Sequence, residues 1–296
     1  MTIPRTGLPA AGTLYVVATP IGNLSDLSPR AAATLKTCDL IAAEDTRHTG
    51  ILLKHFQIST PQRSLHEHNE GARTVEIIAL LREGKSVALV SDAGTPAISD
   101  PGFELVRAVA ATGMNVVAVP GPCAAIAALS SGALPTDRFC FEGFLPTRGA
   151  ARKLRLKSLE TEPRTLVIYE SPHRVRETLE DCVTAFGETR AATVVREATK
   201  LHETTYRGSL RELLDKSSTD ADFSRGEIVL IIGGASQAES GEEDLEAKSR
   251  LDKVLTALLA ELPLKQAARL AAQITGARDN ETYKRALFLK EQSVSQ

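Results

Sequence analysis

The residues in this sequence best suited to chemistry cluster where regular structure must stop. The longest cluster is Ser91-Asp-Ala-Gly-Thr-Pro-Ala-Ile-Ser-Asp-Pro-Gly102. Asp92 and Asp100 supply carboxylates, Thr95 and Ser99 supply hydroxyls, and Gly94 lets a ligand approach the backbone closely. Connections in α/β units need only about 2–6 residues, so a breaker-rich loop of this length suits ligand binding. A second cluster, Glu44-Asp-Thr-Arg-His-Thr49, is charged, and Asp45 or Thr46 in it also suits a helix N-cap. His66 and His68 are spaced to share one face of a strand. With no clear third ligand, two histidines do not define a metal site. Cys38, Cys123, Cys140 and Cys182 are widely spaced with no Cys-x-x-Cys, which argues against a zinc site and a disulfide framework.

The segments between these clusters read as strands and helices in alternation. Val87 to Val90 is an apolar run of buried-strand length, and a helical pattern starts at Phe103. Thr13 to Ala18, Asp39 to Ala43 and Asn115 to Val119 are further buried strands. Ser28-Pro29 reads as an N-cap with proline at the first helical position. A helix ending near Glu83 places Val75, Ile78 and Leu81 on one side. Repeated βα units imply a parallel doubly wound sheet, whose ligands sit at the carboxyl ends of the strands. Gly-x-Gly-x-x-Gly is absent, so the usual dinucleotide fingerprint is missing.

The second half differs. Arg138 to Gly143, Arg164 to Tyr169, Arg190 to Val195, Thr204 to Arg207 and Ile228 to Ile232 read as strands with fewer helices between them, which predicts a mixed sheet. Ser171-Pro172 is expected to start a helix with Val175, Leu179, Cys182, Val183 and Phe186 at helical spacing. The expected architecture is α/β: a parallel doubly wound domain at 12–121, a mixed-sheet α/β domain at 122–234, an acidic linker at 235–247 and a small helical module at 248–296. The linker carries Glu239, Glu242, Glu243 and Asp244. In the tail, Leu251, Val254, Leu255, Leu258, Leu259 and Leu262 form an apolar stripe, Pro263 breaks it, and Leu264 to Ile274, Gly276 and Asn280 to Lys290 give a helix-turn-helix-like pattern.

With 296 residues, 43% of them hydrophobic, the chain can bury two cores. A net charge of −2 excludes a whole-protein positive field but not local basic patches. One such patch is Arg148, Arg152, Lys153, Arg155 and Lys157, with no acid among them. It fits either a solvated helix face or contacts to a nucleic-acid backbone. The tail from Pro263 adds six basic and three acidic residues. No apolar run approaches the ~18 residues of a membrane helix, and Met1 to Gly12 lacks a signal-peptide core. A cytoplasmic location and no membrane partner are the expectation.

An ordered set of motifs is more specific than any one of them. Thr19-Pro-Ile-Gly-Asn-Leu, Ala43-Glu-Asp-Thr-Arg-His, His66-Glu-His-Asn, Ser91 to Gly102, Pro120-Gly-Pro-Cys-Ala, Phe141-Glu-Gly-Phe-Leu-Pro, Tyr169-Glu-Ser-Pro-His-Arg and Gly226-Glu-Ile-Val follow one another. From about Gly12 to Gly233 the set resembles the ribosomal RNA small subunit methyltransferase I family, the RNA-directed branch of the tetrapyrrole methylase superfamily. The tail resembles that family's C-terminal module. The resemblance implies S-adenosylmethionine in a cleft between two α/β domains, a homodimer, and 2′-O-methylation of a cytidine in the decoding centre of 16S rRNA within the 30S subunit. By position it assigns Pro20, Asp92, Gly94, Thr95, Cys123, Ala124, Glu170 and Glu227 to the cofactor. The alternatives are a tetrapyrrole C-methyltransferase and a noncatalytic RNA-binding assembly factor. Against the former, Thr19-Pro-Ile-Gly-Asn23 replaces the Gly-rich first loop of tetrapyrrole-modifying members.

Methyl transfer to a ribose hydroxyl needs alignment, exclusion of water and removal of a proton. Candidate bases at loop ends are Asp45, His68 and Glu197, with Arg47 and Lys200 as phosphate or charge-stabilising partners. The basic set from Arg148 to Lys157 is the candidate RNA contact.

Overall fold

The computed structural model describes residues 12–235 and 240–294. The first half alternates strand and helix: β1 (Thr13–Val17), α1 (Pro29–Thr37), β2 (Leu40–Ala43), α2 (Thr46–His55), β3 (Gln62–Ser64), α3 (Glu70–Arg82), β4 (Val87–Val90), α4 (Phe103–Ala111) and β5 (Asn115–Val119). All five strands are parallel, in the order β3-β2-β4-β1-β5. Side chains alternate across this sheet. Tyr15, Val17, Ile41 and Ala43 pack under α1 and α2, while Leu14, Leu40, Ala42 and Leu89 pack under α3 and α4. Both faces are therefore covered, as the near-continuous apolar strands require.

Local signals explain where the helices start. Ser28 accepts the Ala31 amide at 3.0 Å and Pro29 opens α1. Asp45 caps α2 through the Arg47 amide at 2.8 Å. Helix α3 departs from expectation in its buried face: Ile77 and Leu81 face the core, and Val75 is 71% exposed. Strand β3 ends at Ser64, so His66 and His68 fall in a turn rather than on one strand face. Asn69 makes that turn by accepting the His66 amide at 2.9 Å and donating to the Ser64 carbonyl at 3.3 Å.

The second half contains α5 (Ala124–Ser131), β6 (Phe139–Phe144), α6 (Gly149–Ser158), β7 (Thr165–Glu170), α7 (Val175–Phe186), β8 (Ala191–Arg196), β9 (Thr204–Ser209), α8 (Leu210–Thr219) and β10 (Ile228–Ile232). The sheet order is β6-β7-β10-β8-β9; β6 and β7 are parallel and the other pairs antiparallel. One face packs on α6, α7 and α8. The other receives Ala125, Ala128 and Leu129 of α5 against Val167, Val195, Val229 and Ile231. Helix α7 starts at Val175, later than Ser171-Pro172 suggests. The Ser171 amide instead donates to the Glu170 carboxylate at 2.7 Å, and the Ser171 carbonyl closes a turn with Arg174.

These two sheets form one compact unit ending at Gly234, and a second unit begins at Ala235. The second unit holds α9 (Ser240–Glu261), α10 (Leu264–Thr275) and α11 (Asp279–Val294). Its core joins Leu251 and Leu255 to Ala268, Ala271 and Ala286. Helix α9 starts inside the stretch expected as linker, because a polar first turn propagates cheaply once an apolar stripe anchors the helix. Glu239 lies outside the described residues.

Candidate active site

The loops after β1, β4 and β5 are locked together at the carboxyl edge of the first sheet. Thr19 and Gly94 exchange backbone hydrogen bonds at 2.8 and 3.1 Å. The Thr19 hydroxyl donates to the Ser91 carbonyl at 3.2 Å, and that of Thr95 donates to the Pro122 carbonyl at 3.0 Å. Gly94 has φ +81°, and a Cβ there would stand 3.3 Å from Ile21. Ala97 and Ser99 also adopt positive φ, 68° and 64°. Such conformations in non-glycine residues cost about 1–3 kcal/mol each and cluster at functional sites.

Facing these loops is the α5 side of the second sheet. The Tyr169 hydroxyl accepts the Ala125 amide at 3.0 Å, tying the start of α5 to the end of β7. Burial raises the pKa of its phenol well above the usual value. Phe141 and Phe144 meet the Tyr169 ring edge-on, at centroid distances of 5.0 and 5.6 Å.

Between the two faces lies a cavity of about 380 Å³, within the size range of small-molecule sites. Ile21, Val195, Ile228 and Val229 give it apolar walls, and Thr95, Ser99 and Asp100 bring polar groups. Among the residues assigned to a cofactor, Gly94, Thr95, Cys123, Ala124, Glu170 and Glu227 line it. Pro20 and Asp92 do not: Pro20 is buried in the first loop, and Asp92 accepts the Asp45 amide at 3.0 Å. The Glu170 carboxylate is also committed elsewhere. It accepts from the Ser171 amide at 2.7 Å and the Thr178 hydroxyl at 2.6 Å and lies 3.5 Å from Arg174.

Asp100, noted in the sequence for its carboxylate, was assigned neither to the cofactor nor to the candidate bases. Asp100 lines the cavity, and the charges of Glu44 and Asp92 act on its carboxyl. Burial, then the negative charge of Glu44 and Asp92, pushes its pKa up to about 6, against the hydrogen bond from Ser91. Glu44 is raised for the same reasons, burial first. The available signal was a second aspartate in the longest loop, set between residues that force the chain to bend.

None of the base candidates Asp45, His68 and Glu197 lines the cavity. Asp45 is held by the Arg47 guanidinium at 2.6 Å, which keeps its carboxyl far below the usual range. His68 is exposed on its turn, 6.0 Å from the His66 ring. Glu197 bonds Lys200 at 2.8 Å and accepts the Glu227 amide at 2.9 Å. Burial opposes its ionisation, but these partners outweigh burial and lower its pKa. Lys200 also reaches Glu227 at 3.3 Å, and its stem covers Gly22, where a Cβ would lie 2.4 Å from it. Glu197 and Lys200 thus bridge the loops around the cavity. Among the described residues, no cluster of His, Cys, Asp or Glu is placed to hold a metal ion.

The basic set divides. Arg152 leaves it: the side chain is 1% exposed and pairs with Glu177 at 2.6 Å and Asp181 at 2.7 Å. The cause is helical spacing. Arg152 and Leu156 lie on the face that α6 buries against α7, where Glu177 and Asp181 are four residues apart. Arg155 pairs with Glu142 at 2.6 Å. Arg148, Lys153 and Lys157 are exposed; Lys153 lies 3.6 Å from Asp181 and Lys157 pairs with Glu160.

Comparison with known proteins places this chain in a family. Residues 13–214 match the Tetrapyrrole (Corrin/Porphyrin) Methylases, and residues 243–290 match the RsmI C-terminal HTH domain. The chain is 54% identical to Ribosomal RNA small subunit methyltransferase I of Pseudomonas aeruginosa, covering 94% of this chain and 98% of the relative. It is 51% identical to the protein of that name from Escherichia coli O157:H7, covering 93% and 95%. A solved uroporphyrin-III C-methyl transferase from Thermus thermophilus, complexed with S-adenyl homocysteine, shares the fold at a TM-score of 0.52 and 17% identity, over 75% of this chain and 97% of that one. This chain therefore belongs to the tetrapyrrole methylase family, within the group of ribosomal RNA small subunit methyltransferase I proteins.

Proposed function

We propose that this chain transfers a methyl group from S-adenosylmethionine to the ribose 2′-hydroxyl of a cytidine in the decoding centre of 16S rRNA, acting on the 30S subunit as a cytoplasmic homodimer. The observation that carries the reading is kinship over nearly the whole chain, tail included, with proteins named for ribosomal RNA methylation. The cavity is consistent with it. Its lining suits a cofactor with an apolar body and polar ends: aliphatic walls with the hydroxyl residues Thr95 and Ser99 beside them. At Gly94 the absence of a Cβ and a positive φ keep the backbone accessible beside Ile21.

Bound there, S-adenosylmethionine supplies an activated methyl group on a positively charged sulfur. Gly94, Thr95, Cys123 and Ala124 would hold it. The apolar walls exclude water, and the locked loops fix the direction of approach. Alignment of this kind is worth up to about 7–11 kcal/mol. Asp100 is the proton acceptor for the attacking hydroxyl: it lines the cavity, and its raised pKa still leaves it ionised at neutral pH. A positioned base adds about 10²–10⁴-fold.

The tetrapyrrole C-methyltransferase and the noncatalytic assembly factor are separated by substrate choice. Purified protein with labelled S-adenosylmethionine is offered 30S subunits, naked 16S rRNA and a tetrapyrrole in parallel. Label on RNA supports the reading. Label on the tetrapyrrole alone, or cofactor binding with no transfer to any of the three, contradicts it.

A further inference from the structure

Phe144 is the one ring on the cavity wall that is 58% exposed, and several features hold it there. Side chains alternate across a strand, so Phe141 and Phe144 in β6 should face opposite sides. They do not, because the pairing with β7 slips by one residue between Phe141 and Gly143. This bulge inserts Glu142, Gly143 takes φ +61°, and both rings come to flank Tyr169 on the cavity face. Bulges of this kind re-aim side chains beside active sites. The segment beyond the ring is clamped as well: Arg174 donates to the Leu145 carbonyl at 3.0 Å and the Pro146 carbonyl at 3.1 Å. A Cβ on Gly143 would come within 3.1 Å of the Ser99 hydroxyl, so the bulge also abuts the strained loop that carries Asp100.

A half-exposed aromatic ring on a fixed backbone, at the mouth of a reaction cavity, has its face open to a planar ligand. Charge on the adjoining segment indicates which ligand. Four residues on, Arg148 is exposed, and among the described residues no ion pair engages it. Lys153 and Lys157 follow along α6 with exposed side chains. An aromatic platform beside a basic track is the combination that holds single-stranded nucleic acid, the ring stacking on a base and the cations following the phosphates.

We propose that Phe144 is the stacking platform for an unpaired nucleobase of the substrate RNA, next to the reacting ribose, with Arg148 on the adjacent phosphate. The inference rests on the RNA-methyltransferase reading above. It identifies Phe144 as a residue that touches substrate, and it explains how one nucleotide is kept out of its helix while its ribose reacts.

The test uses the full chain with Phe144→Ala, Phe144→Leu and Phe144→Tyr. Affinity for a short single-stranded 16S rRNA fragment is measured by fluorescence anisotropy. S-adenosylhomocysteine binding is measured by calorimetry, and self-association by sedimentation. Loss of one base–aromatic stack weakens RNA binding by roughly 10- to 100-fold. The Ala and Leu variants should lose that much, and the Tyr variant should stay within about threefold because it keeps the ring. Cofactor affinity and self-association should not change. Leu behaving like wild type would overturn the stacking role, since bulk alone would then suffice. Cofactor affinity falling in parallel would assign the ring to the cofactor. Dissociation of an assembled protein would assign it to a second copy of the chain. A wild-type chain that methylates no RNA would overturn the underlying reading as well, whereas RNA turnover with full RNA affinity in Phe144→Ala would overturn this inference alone.

Discussion

Replacing Asp100 by Asn tests the proton-acceptor role with little change in shape. In the wild type, burial and the charges of Glu44 and Asp92 set its pKa at about 6. This value describes the ligand-free protein, so it should appear in the pH profile of kcat/KM, which reports free-enzyme ionisations. The profile should rise through about pH 6 and level off above it, and at pH 5 about a tenth of the plateau should remain. Asp100→Asn should lower the plateau by about 10²–10⁴-fold and abolish that inflection. Stability should move the other way. The folded pKa lies above the unfolded value of about 3.9, so the fold disfavours the charged form. Wild-type stability therefore falls as pH rises from about 4 to about 6 through this group, and the Asn variant is spared the loss. Thermal melts should show Asp100→Asn more stable than wild type at pH 8 and no different near pH 3.5. Stopped methyl-transfer assays from pH 5 to 9, run beside the melts, give both readouts. A variant that keeps turnover within threefold and retains the inflection near pH 6 would refute the assignment. A variant that loses cofactor affinity with unchanged single-turnover chemistry would refute it too, showing that the carboxylate holds the cofactor instead.

Three further predictions follow from the geometry. Arg152→Ala strands the Asp181 carboxylate in the α6–α7 contact and should cost about 3–5 kcal/mol in urea unfolding, while the salt dependence of RNA binding stays as in wild type. Tyr169→Phe removes the acceptor for the Ala125 amide and should cost about 1–2 kcal/mol, read as a lower Tm. Lys153→Gln with Lys157→Gln should weaken RNA binding and reduce the slope of log affinity against log salt by about 1 to 2, as expected when both side chains meet phosphates.

Much of the framework was legible because it depends on local periodicity. Apolar runs such as Val87 to Val90 are buried on both faces of the first sheet, and such runs announce parallel strands. The second sheet is mixed as expected, but not for want of helices: α6, α7 and α8 fill three of its four connections, and only β8 and β9 are joined without one. The breaker-rich loop after β4 marked Gly94 and Thr95, the family resemblance added Cys123 and Ala124, and all four line the cavity. What the sequence hid was the direction in which each polar side chain points. Asp45, Glu170 and Glu197 are acids at the right strand ends, yet each is engaged by a nearby partner: Arg47, Thr178 and Lys200 respectively. Asp100 sits in the same loop as Asp92 but, unlike it, lines the cavity, and positive φ at Ala97 and Ser99 bends the chain between them in a way that residue types do not disclose. Arg152 belongs to a basic run on paper and to a buried ion pair in the fold, since its acids lie 25 and 29 residues away in α7. Phe144 owes its position to a bulge, which breaks the alternation from which strand faces are read.

The central claim is methyl transfer to a ribose of 16S rRNA, and mapping the product tests it most directly. The 30S subunits and naked 16S rRNA from cells lacking this activity would be incubated with the purified chain and labelled S-adenosylmethionine, and the modified nucleotide located by nuclease digestion and mass spectrometry. The account predicts one added methyl group on the 2′-oxygen of a decoding-centre cytidine, made on the assembled subunit. A methyl group on a base atom, on a nucleotide outside that centre, or on neither RNA would contradict it.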